Sequence, residues 1–187
     1  MFNKFIEKYP HYNVQDTPTE DLISKYKGSV PDEIINIWNN YGFGSFMNSY
    51  LKIVNPDEYK ELLDFSYTSV YPNPIVLFIT GLADLIIWEN NYLILLDYRH
   101  GLSKVLESGF EYFFEDLKDE EFIDADLLGK NFYTAKEILG DLNFDECFGY
   151  VPLLGLGGPE KVENLEKVKL KENMICNLFG IKNCKKK

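Results

Sequence analysis

Between Pro31 and Phe65 the apolar positions change period twice. Ile34, Ile35, Trp38 and Tyr41 recur at helical spacing on one face. The helix they predict ends at Gly42, where a residue without Cβ suits a left-handed cap. Gly44 permits a second turn, and the period then becomes two. Met47, Ser49, Leu51 and Ile53 fall on one side and Phe46, Asn48, Tyr50 and Lys52 on the other, which predicts a single strand. Asn55 then caps a further helix, with Pro56 at its first position, Asp57 and Glu58 in its first turn, and an end near Phe65.

The flanks follow the same rules. Residues 1–16 form an aromatic-rich lead-in with a helical turn or two before Pro10. Thr17-Pro18-Thr19-Glu20 reads as a capping box for a helix from about 18 to Tyr26, stopped by Gly28. Ser66 to Pro74 carries two prolines and an asparagine and marks an internal boundary. Beyond it Ile75–Thr80, Asp84–Glu89, Tyr92–Tyr98 and Leu102–Glu107 read as four strands of an antiparallel meander, joined by short turns. Continuous apolar runs such as Leu93-Ile94-Leu95-Leu96 predict strands covered on both faces. Phe110–Leu117 reads as a helix, Thr134-Ala135-Lys136-Glu137 as a second capping box, Phe148–Leu154 as a strand and Leu170–Phe179 as a closing helix. Lys185-Lys186-Lys187 reads as a frayed tail. The fold class is α+β: N-terminal helices with a short strand, a central antiparallel β-meander, then C-terminal helices.

Composition narrows the function. Hydrophobic residues make up 45% and aromatics 16%, which is globular. The start lacks an apolar core with a cleavage site, and Ile75 to Trp88 is too short to span a bilayer, so a cytoplasmic protein is expected. Three cysteines at 147, 176 and 184 form no CxxC pair and are expected as reduced thiols. A net charge of −11 argues against nucleic acid and anionic membrane as partners and favours a basic protein.

The chemical motifs fail on inspection. The glycines at 155–158 lack the residues that a dinucleotide or phosphate loop needs, since Pro159 and Glu160 follow. Asp124–Gly129 starts like a calcium loop, but position five is Leu128 and position twelve Ala135. His11 and His100 have no ligand-spaced companions, and Cys147 sits beside Asp145 and Glu146, which disfavour a thiolate. No catalytic residue, metal or cofactor is expected. The acidic run from Glu107 to Asp126 is different. It places nine carboxylates against one base, Lys118, and reads either as a solvated helix face or as a docking surface.

A resemblance adds to this reading. Trp38, Gly42, Phe43, Gly44 and Phe46, followed by Asn55 and Pro56, resemble the GAD-like domain of bacterial immunity proteins. Asp84 and Trp88, then Asp145, Glu146, Gly149 and Pro152, then Gly157, Gly158 and the Leu165–Glu172 segment, resemble the C-terminal region fused to it. Members are immunity proteins that neutralise type VI secretion DNase effectors. The resemblance implies a GAD-like region at 1–70 and an immunity-protein C-terminal region at 71–187, packed as one unit. It also implies a cytoplasmic binding protein that inactivates a cognate toxin, a nuclease effector, by direct contact. These motif residues read as architectural. The contact surface is inferred from charge instead: Glu111, Glu115, Asp116, Asp119, Glu120 and Glu121 would meet the basic groove of a nuclease. Two alternatives stay open. Val30-Pro31-Asp32 with Gly42-Phe43-Gly44 is similar to the opening of SUKH-type immunity proteins. A pocket between the two halves, lined by Trp38, Trp88 and tyrosines, would instead make this a small-ligand-binding protein or an enzyme.

Overall fold

The computed structural model describes residues 2–180; Cys184 and the lysines at 185–187 lie outside them. Helix α1 (Phe2–Lys8) is followed by β1 (Asn13–Asp16), α2 (Glu20–Tyr26), α3 (Asp32–Tyr41), β2 (Phe43–Phe46), β3 (Leu51–Ile53) and α4 (Lys60–Ser66). The meander comprises β4 (Ile75–Thr80), β5 (Leu85–Glu89), β6 (Tyr92–Asp97) and β7 (Leu102–Ser108). Helices α5 (Phe113–Asp116), α6 (Glu120–Leu127) and α7 (Gly129–Leu139) precede a hairpin, β8 (Glu146–Tyr150) and β9 (Leu165–Lys169), and α8 (Leu170–Phe179) closes the order. The four-strand meander and the α+β class stand as the hydrophobic pattern predicts.

The sheet is larger than that pattern showed. β1 to β7 form seven antiparallel strands lying in chain order, so β3 pairs with β4 directly across residues 66–74. Tyr67 Oη (2.7 Å) and the Tyr71 N–H (2.8 Å) both donate to buried Glu89, which pins that crossing to β5. β4 and β5 are buried at every position. On one face Phe78, Ile86 and Leu95 pack with aromatic residues of α1, α3 and α5, and with α6 and α7. On the other, Val76, Ile87 and Leu96 pack with Leu63 of α4 and Met174 of α8. The β8–β9 hairpin serves both layers. Cys147 and Val168 point into one and Phe148, Tyr150 and Leu165 into the other, and the Phe148 N–H reaches Gly81 O in the β4–β5 turn at 2.8 Å.

Several expectations are corrected. The single strand over 46–53 is a hairpin: β2 and β3 pair antiparallel around Met47, Asn48 and Ser49, which have φ of 52°, 57° and 70°. Three left-handed non-glycine residues in a row each cost about 1–2 kcal/mol, so the surroundings must hold them. Met47 is buried. Ser49 Oγ donates to Leu142 O at 3.4 Å, and Tyr50 Oη to Leu127 O at 2.6 Å. Residues 47–49 contain neither glycine nor proline, so no turn residue in the sequence marks this bend. Thr19, not Thr17, caps α2, accepting from the Leu22 N–H. Asn55 caps a 3-10 turn over Pro56–Glu58, and α4 starts only at Lys60. Thr134 lies inside α7, its hydroxyl spent on Lys130 O; the helix begins at Gly129, with Asp124 accepting the Lys130 N–H at 2.7 Å. The strand placed at Phe148–Leu154 covers Glu146–Tyr150 and pairs with β9, whose mixed Leu-Glu-Lys-Val-Lys pattern gave no separate strand signal. The helix at Phe110–Leu117 is confined to Phe113–Asp116. Of the cysteines expected as thiols, Cys147 is free and buried, whereas Cys176 is disulfide-bonded.

Polar contacts between the first part of the chain and residues 117–146 share one form. Lys8, Tyr9, Ser49, Tyr50 and Lys52 donate from their side chains to backbone carbonyls of Lys118, Leu117, Leu142, Leu127 and the 143–146 turn.

Candidate functional site

The motif residues are mostly occupied in architecture. Trp38 is wholly buried and meets Tyr26 and Phe43 edge-on; Trp88 meets Phe110. Both indoles therefore fill the core rather than line a pocket between halves. Phe46 stacks on Tyr12 at 4.1 Å. A Cβ on Gly44 would fall on Asn13 O and the Tyr12 ring, so only glycine lets β1 approach β2 there. Gly42 has φ 72° and closes α3. Asp145 pairs with Lys169 at 2.6 Å, and Glu146 accepts the Asn143 N–H at 3.0 Å. Pro152 follows a cis bond, and its carbonyl leaves no room for a Cβ on Gly158; Gly157 has φ 83°.

Asp84 has a different part. Its carboxylate is fully buried and takes both oxygens onto Arg99 Nη2, at 2.8 and 2.9 Å, and a third bond from Thr80 Oγ1 at 2.8 Å. Arg99 Nε reaches Asp97 at 3.2 Å. Asp97 holds His100 Nδ1 at 2.6 Å, and His100 Nε2 meets Glu160 at 3.2 Å. Burial pushes Asp84 up to about 6 against the pull of Arg99. Burial disfavours charged His100, but Asp97 and Glu160 outweigh it and raise its pKa. Arg99 is the only arginine in the chain, and a guanidinium suits a buried carboxylate where a lysine would not. That lone arginine among lysines, and an aspartate inside an apolar run, were the available sequence signals. The network ties the β4–β5 turn to the β6–β7 turn and to the loop at Glu160.

Lys52 is the second buried charge. Its ammonium donates to the carbonyls of Asn143 (3.4 Å), Phe144 (2.9 Å) and Glu146. Burial pulls its pKa down to about 8. Cys147, also buried, has its thiol pushed up to about 12 by desolvation, which leaves it protonated and unreactive. Among the described residues no cluster of His, Cys, Asp and Glu could hold a metal ion.

The carboxylates between β7 and α6 form the exposed charged surface. Glu111, Glu115, Asp119, Glu120 and Glu121 are exposed and Asp116 half-buried. Some have local duties. Glu111 accepts the Phe110 N–H, Asp119 caps α6 through the Glu121 N–H, and Glu115 pairs with Lys118 at 2.6 Å. On the rim, Asp126 pairs with Lys104 at 2.8 Å. Glu107 lies against Asp116; partial burial, and then Asp116 and Asp126, push its acid up to about 7. The surface thus carries more negative charge than its lysines neutralise.

With this geometry in place, comparison with known proteins gives the class. The GAD-like domain model matches residues 1–97, just over half of the chain, and the chain belongs to that family. Residues 107–175 match the model described as T6SS immunity protein Tdi1, C-terminal; the particular kind of GAD-like protein is therefore a type VI secretion immunity protein. Between the two matched segments lie residues 98–106, the β6–β7 turn and most of β7. The crystal structure of Atu4351 from Agrobacterium tumefaciens superposes with a TM-score of 0.80 at 18% identity, over 95% of this chain and 88% of that one. At that identity the likeness speaks for the fold alone. The search of curated proteins gives no match. Among the described residues no helix is long and apolar enough to cross a membrane.

Proposed function

We propose that this protein neutralises a cognate toxin, a nuclease, in the cytoplasm of the cell that makes it, by direct contact and without catalysing a reaction. The reading is carried by the match of residues 107–175 to a type VI immunity model, which spans the carboxylate surface of α5 and α6. A net charge of −11 supports a basic partner, because complementary fields speed association and select against wrong partners. Glu111, Glu115, Asp116, Asp119, Glu120 and Glu121 are the contact residues on this reading, standing where the phosphates of a nucleic acid would otherwise lie.

Co-expression with candidate toxins, scored by survival and by pull-down from the same cells, tests the function. Rescue with a stable complex is the expected result; survival of no culture with any candidate refutes it. Changing Glu115, Asp116 and Glu120 to lysine is expected to weaken the complex at least about tenfold at low salt and less at high salt. Unchanged affinity in that triple variant, with its melting temperature intact, would remove the acidic surface from the interface.

A further inference from the structure

The seven-stranded sheet ends on β7, and among the described residues no strand pairs with its outer side. An unpaired edge offers its free N–H and C=O groups to any extended chain. The opposite edge is blunted. β1 has four residues, its register shifts between Val14 and Asp16, and Pro18 follows closely. β7 is seven residues long. It pairs regularly and is exposed from Leu102 to Val105, and its register shifts only beyond that, between Val105 and Glu107, which sets those two side chains on opposite faces. Its one lysine, Lys104, is drawn sideways onto Asp126 and does not guard the rim.

The two faces beside this edge differ in chemistry. On one, Val105, Tyr92 and Ile94 with Tyr67, Val70 and Tyr71 line a hollow of about 290 Å³. Val70 and Val105 are 80% and 58% exposed, so this apolar surface is open. On the other face, Glu107 stands with Asp116 and Asp126, and partial burial together with those two carboxylates pushes its acid up to about 7. Side chains of a strand alternate between faces. A segment laid along β7 would therefore present one set to the apolar hollow and the other to the carboxylates.

We infer that the outer edge of β7 takes up an extended segment of the toxin as an eighth strand, its apolar side chains seated beside Val105 and Tyr71 and a lysine or arginine on the alternate face against Glu107 and Asp116. The inference rests on the immunity reading above. It favours a basic partner over a second copy of this chain, because two β7 edges would bring two carboxylate clusters together. Main-chain pairing supplies affinity in this mode, and the alternating side chains supply specificity.

The test uses the full chain and the toxin that the rescue assay identifies, carried as a catalytically inactive variant. Amide hydrogen exchange is followed over β7 in the free protein and in the complex. The outward amides of β7 are expected to slow at least about tenfold on binding. Val105→Glu is expected to weaken binding by a similar factor, more than most interface residues cost when changed. Ile138→Glu, at an exposed position of α7, is expected to bind as the parent does. A complex that forms with β7 exchange unchanged and Val105→Glu binding normally overturns the inference and leaves the immunity reading intact. Protection of β7 in the protein alone, with a dimer in sedimentation, assigns the edge to a second copy and also overturns it. Rescue by no toxin overturns both.

Discussion

Removing the guanidinium from the buried network isolates the cost of an unpaired charge. In Arg99→Met, Asp84 keeps its place in the core but loses both bonds to Nη2, and only Thr80 remains to it. Its carboxyl is already raised to about 6 by burial with Arg99 present; without that cation it rises further and is neutral at pH 7. Holding it protonated at pH 7, against an ordinary value of 3.8 in the unfolded chain, costs about 4 kcal/mol at about 1.4 kcal/mol per pH unit. That agrees with the about 3–5 kcal/mol lost when one partner of a buried pair is removed. A carboxyl whose folded pKa is raised contributes stability that is present in acid and is lost as pH climbs through the window between the unfolded and folded values. The double variant Asp84→Asn, Arg99→Met cannot titrate there. Urea unfolding of both variants is therefore expected to show a gap of about 4 kcal/mol at pH 7, closing to about 1.5 kcal/mol at pH 5. Equal stabilities at pH 7, or a gap that does not narrow in acid, would refute the argument that Asp84 is a buried carboxylate held by Arg99.

Two further perturbations probe the junction at the β2–β3 turn. Lys52 has a folded pKa lowered to about 8, so the stability tied to its neutral form is present in alkali and lost as pH falls from 10.5 through 8; wild type is expected to gain on Lys52→Met as pH is raised from 8 to 10.5 in chemical denaturation, and parallel pH profiles would count against it. Tyr50→Phe strands Leu127 O by removing its 2.6 Å donor, and is expected to cost about 1–3 kcal/mol; a melting temperature equal to the parent's would show that the turn does not depend on that bond.

What the sequence made legible was whatever periodicity encodes. The four strands from Ile75 to Ser108 are read almost residue by residue, because alternating or continuous apolar runs end at Gly81, Asn90-Asn91 and Gly101. Of the sheet's other three strands, β3 lies inside the strand expected over 46–53, whereas β1 and most of β2 escaped. β1, with four exposed residues, buries nothing that would mark it. The 46–53 segment passes through a left-handed turn at Met47, Asn48 and Ser49 with no glycine or proline to mark it. Capping boxes misled at Thr17 and Thr134, since the hydroxyl of Thr19 and the carboxylate of Asp124 reached the orphan N–H groups first. The surface carboxylates were visible as composition. The Asp84–Arg99 network was not, because its members come from two turns that meet only in the folded sheet, and a sequence carries no record of which buried charges will face each other.

The contacts that run from Lys8, Tyr9, Ser49, Tyr50 and Lys52 to the chain beyond residue 116 all end on main-chain oxygens. Every residue type supplies that acceptor. The exposed side chains of the 117–146 segment can thus change without loss of those bonds, while Ile123, Leu127 and Phe132 stay fixed in the core. Such an arrangement separates what must be inherited intact from what is free to diversify. On the proposed function, a lineage of such proteins would track the drift of its toxin one surface substitution at a time, with its framework undisturbed.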